Sequence, residues 1–269
     1  MSRGLSLHIG LNDVDPEHYS GWSSPLQYCE EDARAMHEMS VSLGFTATQI
    51  TGAEVTRDRV IGAIEDAARR LVAGDLFFLT YAGHGGQVKD VDGDEQGGDG
   101  RDETWCLWDG QVLDDELNVL WARFQPRVRI LVLADSCHSG SVTKGASGGE
   151  DENDPTARFL PRAAARATVR KNWQFYDNLQ YDLPNPRPAI NASVRLLAGC
   201  QDDQRAREQD GHGDFTRALL ALWDEGRFEG NYRAFYLALA QRMSATQQPN
   251  HLVLGRPDPT YDEQSPFTI

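Results

Sequence analysis

Three nearly unbroken apolar runs, at 76–82, 128–134 and 194–198, constrain the fold of this chain more than any other feature. A strand with one wet face alternates apolar and polar residues, so runs without alternation belong to strands covered on both faces. Amphipathic segments lie between and around them. Residues 30–43 carry Ala33, Met36, Met39 and Leu43 at helical spacing, and residues 56–72 turn Val60, Ile61, Ile64, Ala67, Ala68 and Leu71 to one side, with Thr56 as the expected N-cap. Shorter strands are expected at 5–11 and 45–50, and helices at 215–223 and 232–242 ahead of a Pro-rich tail. Strands alternating with helices predict an α/β fold around a mostly parallel sheet. Ligands in such sheets bind beyond the carboxyl ends of the strands, so the residues after Ala82, Ala134 and Ala198 are where chemistry is expected.

Two stretches break the pattern. Residues 89–103 are rich in Gly and Asp, and residues 143–188 form a long polar segment with five prolines and repeated Ala-Arg. A structureless loop of that length inside a compact domain is usually functional or mobile. The 41 acidic against 26 basic side chains give a net charge of −15, which argues against nucleic acid as a partner because a phosphate backbone is held by Lys and Arg. No apolar run approaches the roughly 20 residues needed to cross a bilayer, and the N-terminal residues lack a signal peptide's apolar stretch. A cytoplasmic protein without a membrane partner or an N-terminal regulatory domain is expected.

Two strand ends carry reactive side chains: Tyr81-Ala82-Gly83-His84-Gly85-Gly86 and Ala134-Asp135-Ser136-Cys137-His138-Ser139-Gly140. A thiol attacks as thiolate, and a nearby imidazole that takes its proton activates it. Glycines beside His84 let a peptide approach and free a main-chain N–H, that of Gly85, for an oxyanion. Ser139 has no G-x-S-x-G frame, His138 lacks partners at zinc-ligand spacing, and no phosphate-binding glycine loop is present. The four cysteines include no C-x-x-C pair, and Cys106 and Cys200 are expected in or near the core.

Cys137 follows His84 by 53 positions, close to the roughly 50 between His and Cys in caspases. The two motifs resemble those of caspase-like cysteine peptidases of the metacaspase type, the prokaryotic or orthocaspase-like branch. Further likeness lies in Cys29-Glu30-Glu31-Asp32-Ala33, Leu113-Asp114-Asp115-Glu116, and Ala198-Gly199-Cys200-Gln201-Asp202-Asp203-Gln204 with Phe215-Thr216. The resemblance implies a caspase-type three-layer sandwich, a single peptidase domain over 1–269. Its larger part would cover about 1–143 and hold the His and Cys, followed by a polar linker over about 144–190 and a smaller part over about 191–269. It also implies a Cys-His dyad in which His84 moves protons and Cys137 forms the acyl-enzyme, with no cofactor required for the chemistry.

Further implications concern substrates and metal. The acidic P1 pocket of the metacaspase pattern falls on Asp32 and Asp135 with Cys29 beside them, and two carboxylates favour protein or peptide substrates with Arg or Lys at P1 over Asp. Ala82 stands where the family often has Ser, which removes one pocket hydroxyl. The segment 90–103 holds seven carboxylates and nearly fulfils an EF-hand loop from Asp92, but no helix is expected before it. Read alone it is a solvated turn; the resemblance implies calcium held by Asp102, Asp114 and Asp115 with Asp99 added. The family's acidic ligand beyond the catalytic Cys is absent, since Thr143-Lys144 stands there. Lys144, Arg158, Arg162, Arg166, Arg170 and Lys171 make 143–188 either a site of self-cleavage or a plain insertion. The expected function is a cysteine endopeptidase. Two alternatives stay open: a catalytically silent caspase-fold interaction module, and a latent protease activated by a partner protein.

Overall fold

The computed structural model describes residues 2–90, 100–137, 154–201 and 204–269. Six strands form the main sheet: β1 (Gly4–Gly10), β2 (Thr46–Thr51), β3 (Leu76–Ala82), and, further along the chain, β7 (Arg129–Asp135), β8 (Ser193–Ala198) and β11 (Asn250–Gly255). Their order is β11-β8-β7-β3-β1-β2, and only β11 runs antiparallel to its neighbour. The two central strands β3 and β7 are buried along their whole length, as their unbroken apolar runs require.

One face of the sheet is covered by α2 (Arg57–Arg70) and α3 (Asp114–Trp121), the other by α1 (Cys29–Ser42), α6 (Asp214–Trp223) and α7 (Tyr232–Arg242). Two hydrophobic clusters result. Ile64, Phe77, Leu79 and Val132 belong to the first, and Met36, Phe78, Leu133 and Phe235 to the second. The three-layer α/β sandwich expected from the sequence is therefore present. Helix and strand limits agree to within two residues, although Thr56 precedes α2 without a side-chain capping bond.

Two parts differ from the sequence reading. A small antiparallel sheet of β4 (Gly85–Lys89), β5 (Arg101–Leu107) and β6 (Gly110–Leu113) leaves the end of β3. Its strands are short and its glycines and carboxylates hide the alternation. Within 143–188, residues 154–188 are not a structureless loop. They hold an extended piece and two helices, α4 (Arg162–Lys171) and α5 (Trp173–Tyr181). In α4 only Ala165 and Thr168 are buried, a stripe too thin to stand out among arginines. A short hairpin, β9 (Glu208–Gln209) and β10 (His212–Gly213), leads into α6.

Candidate active site

The parallel pairing of β3 with β7 sets Ala82 opposite Asp135, so the turns that follow, carrying His84 and Cys137, leave the same edge of the sheet. The approach is closest at Gly85. A Cβ added there would lie 1.8 Å from the Cys137 carbonyl oxygen, a backbone contact that cannot yield, and only glycine fits.

His84 is buried. Its Nε2 is hydrogen-bonded to the Ser24 carbonyl at 2.8 Å, which places the proton on Nε2, and its ring meets Trp22 edge-on at 4.9 Å. Nδ1 has no hydrogen-bond partner and is the lone pair available to take a proton. Burial lowers the His84 pKa to about 4; the bond to Ser24 opposes this, while the positive charge of Arg158 adds to it. The Cys137 thiol accepts from Ala206 N–H at 2.6 Å and is not hydrogen-bonded to the imidazole in this arrangement.

An acidic pocket opens beside this pair, and its occupant is the chain's own Arg158, which is fully buried. Nη2 donates to Asp32 Oδ2 at 2.6 Å and to Glu208 Oε2 at 3.3 Å. Nη1 lies 3.1 Å from Asp135 Oδ2 and donates to the Asp135 carbonyl at 3.2 Å. Asp32 comes from the first turn of α1, Asp135 from the end of β7 and Glu208 from β9, so three separate elements close on one guanidinium.

Each carboxylate is fixed by further donors. Asp32 accepts from Gly213 N–H and pairs with His212 Nδ1 at 2.7 Å, which raises the His212 pKa. Asp135 accepts from the Thr216 N–H and hydroxyl at 3.0 and 2.7 Å. Burial raises the Asp135 pKa to about 6, against the pull of Arg158 and with the nearby Asp32 charge adding to the rise. Glu208 accepts from Gln27 N–H at 2.6 Å and Tyr28 N–H at 3.2 Å. The buried Cys29 thiol stands 4.0 Å from Glu208, its pKa raised first by burial. Gly213 floors the pocket, where a Cβ would come within 2.2 Å of Asp135 Oδ2 and 2.4 Å of Arg158 Nη1.

The caspase-domain family model matches residues 13–263. The chain belongs to the caspase-domain peptidase family. It is similar to metacaspase-1 of Schizosaccharomyces pombe, 35% identical over 257 residues, covering 82% of this chain and 59% of that one. It is also similar to metacaspase-1A of Neurospora crassa, 40% identical over 156 residues, covering 52% and 32%. The chain spans about a third of the length of the first curated relatives it matches. A crystal structure of a protein from Geobacter sulfurreducens is 43% identical and superimposes with a TM-score of 0.90 over 99% of each chain. Caspase-1 of Spodoptera frugiperda, at 12% identity, shares the fold with a TM-score of 0.53 over 94% of this chain and 86% of that one.

The residues singled out from sequence, Cys29, Asp32, His84, Gly85, Asp135 and Cys137, all lie at one end of the sheet, Asp32 and Asp135 around Arg158, Cys29 next to Glu208, and the His84 and Cys137 turns beside them. Trp22, Ser24, Glu208 and Gly213 were not foreseen. Glu208 stands in no motif, and its role depends on a hairpin that brings β9 across to α1. The carboxylates carried over as calcium ligands are less complete. Asp99 lies outside the described residues, as do Asp92 and Lys144. The register of β5 with β6, Thr104 opposite Leu113, brings the Asp102 end of β5 alongside Asp114 and Asp115, yet Asp115 pairs with Arg187. Among the described residues no group of three His, Cys, Asp or Glu could hold a metal ion. No step below is routed through calcium.

Proposed function

We propose that the protein is a cysteine endopeptidase that hydrolyses peptide bonds after Arg or Lys, with His84 and Cys137 as its dyad. The observation that carries this reading is the three-carboxylate pocket closed on the Arg158 guanidinium, beside the N–H groups of Gly85 and Cys137, which donate to the Arg158 carbonyl at 3.0 and 3.1 Å. A buried pocket with three acidic side chains favours a P1 cation, and an Asp at P1 would meet like charge. Arg forms bidentate pairs there, and Lys offers a point charge to the same oxygens.

In the proposed reaction His84 Nδ1 takes the thiol proton and the thiolate attacks the P1 carbonyl carbon. The oxyanion is held by the N–H groups of Gly85 and Cys137. Collapse breaks the C–N bond, His84 returns the proton to the leaving amine, and water then hydrolyses the thioester with His84 as base. The thiol must leave the Ala206 N–H for this.

Fluorogenic peptides that differ only at P1 test the reading. Hydrolysis after Arg and Lys, absent after Asp and abolished in Cys137→Ala, is the expected result. An inert wild type would favour the interaction-module alternative. Calcium enters the proposal as a modulator acting through Asp102 and Asp114, outside the chemical step and in competition with Arg187 for Asp115. A rate that rises when calcium is returned to chelator-treated protein is expected; an unchanged rate removes calcium from the proposal.

A further inference from the structure

From Thr156 to Leu160 the chain runs extended through the candidate site, and its side chains mark what borders a peptide on either side of the acidic pocket. Arg158 N–H donates to the Ala206 carbonyl at 2.9 Å, and Glu208 N–H donates to the Thr156 carbonyl at 3.1 Å. Past Arg158, Phe159 bridges Gly85 in parallel, and Leu160 N–H donates to the Gly85 carbonyl at 2.7 Å. Side chains alternate along an extended chain, so with Arg158 in the acidic pocket, Ala157 and Phe159 face the other way. There Phe159, 6% exposed, packs in one cluster with Cys137, Ala157, Cys200 and Ala206. The buried Arg205 guanidinium lies over its ring, 4.2 Å from the centre. Cys200, Arg205 and Ala206 all belong to the connection between β8 and β9, so this place is built by the body of the protein and is not a property of the segment that fills it.

We infer that this place is a P1′ subsite which selects an aromatic residue in protein substrates, and that Arg205 sets the selection. The inference rests on the basic-P1 peptidase reading above and adds the residue class on the leaving-group side of the bond. A guanidinium over a ring is attracted by the negative face of the π system, most strongly where water is excluded. Arg205, 4% exposed, meets that condition. The other residue classes fit less well. Lys or Arg at P1′ would meet like charge. Asp or Glu would gain the charge of Arg205 but give up its water among thiols and methyl groups. Leu would fill the space without a π face to offer the cation.

The two subsites thus have opposite sign. Carboxylates receive a cation before the bond, and a cation receives a ring after it. A peptide in solution must displace residues 156–160 to reach either one. That competition lowers the apparent affinity of every peptide by the same factor, so ratios of kcat/KM between peptides report the subsite alone.

The test uses the full chain as wild type, Arg205→Met and Arg205→Lys, with internally quenched peptides that copy residues 154–160 and carry Phe, Tyr, Leu, Ala, Asp or Lys at the position of Phe159. In the wild type, kcat/KM for Phe and Tyr should exceed that for Leu and Ala by about fivefold or more, with Lys slowest. Arg205→Met should bring Phe to within about twofold of Leu and relieve the penalty on Lys. Arg205→Lys, which keeps a cation, should retain part of the aromatic preference. The wild-type ratios and the lysine variant keep the test decisive if the methionine variant fails to fold. A wild type that cleaves all six peptides alike, or prefers Ala, Leu or Asp at P1′, overturns the inference and leaves the peptidase reading standing, as does an aromatic preference that survives unchanged in Arg205→Met. A wild type that cleaves none of the peptides overturns both.

Discussion

His84 can serve as a base only while it is neutral, and its surroundings keep it so. Burial places its pKa at about 4 against 6.5 for a free imidazole. In the proposed reaction the acid limb of kcat/KM on an Arg-P1 peptide therefore lies well below pH 6.5, and a limb at 6.5 or above would contradict the burial argument. The sign for stability follows from the same depression. The folded protein disfavours the imidazolium, so the stabilisation of neutral His84 is complete above pH 6.5 and lost as pH falls through about 4. His8, lowered to about 3 by burial with His37 nearby, acts in the same direction. Asp135 opposes them, since a carboxyl raised to about 6 stabilises the fold below its ordinary range and loses that contribution as pH rises through 6. His18 and His251, also lowered first by burial, add to the fall, and His212, raised by its bond to Asp32, opposes it; four lowered histidines against His212 and Asp135 predict a net fall in thermal midpoint between pH 6.5 and 4, read by calorimetry. His8→Phe should flatten the fall, whereas an unchanged slope in that variant would remove His8 from the argument.

At the scale of elements, legibility followed burial on both faces. Strands β3, β7 and β8 stood out because the helices on either side of the sheet demand apolar residues at nearly every position. Strand β11 did not, for it lies at the sheet edge with Leu252 and Val253 exposed. The candidate site was legible where a side chain of reactive type stands just beyond a strand end, as His84 and Cys137 do. Glu208 reaches its place only through tertiary packing, and no local pattern announces that. The C-terminal residues, which read as a Pro-rich tail, proved to be core. Phe267 is 2% exposed, and its ring lies 5.3 Å from that of Phe78, 4.9 Å from Trp223 and 5.7 Å from Phe235. Removing such a ring leaves a cavity among groups that belong to β3, α6 and α7. Phe267→Ala should therefore lower unfolding free energy by about 3–5 kcal/mol in urea titrations, and a loss below about 1 kcal/mol would mean that the tail merely lies against the surface.

At the scale of the whole molecule, self-cleavage after Arg158, one of the basic residues that make 143–188 a candidate cleavage segment, would not divide the structure. Strands β1, β2, β3 and β7 would belong to the first fragment, β8 and β11 to the second. Strand β8 pairs in parallel with β7 over six positions, from Arg129 opposite Ser193 to Ala134 opposite Ala198. Separation would expose the β7 edge in the middle of the sheet, and unpaired strand edges of this kind invite aggregation. It would also split both hydrophobic clusters. Leu131 and Leu133 from the first fragment pack in one cluster with Leu197, Phe215 and Leu219 from the second, and Ile130 and Val132 share the other with Val194. Helix α5 adds polar ties across the same division, through Tyr176 to His18 at 2.9 Å and to Gln111 at 3.0 Å, and through Gln180 to the Lys89 carbonyl at 2.9 Å. An interface that resembles a domain core cut in half behaves as an obligate one. The processed protein should thus run as two bands on a denaturing gel and elute from a sizing column as one particle, at the volume of the uncut Cys137→Ala chain. Elution as two separate species after cleavage would mean that the sheet does not hold the halves together.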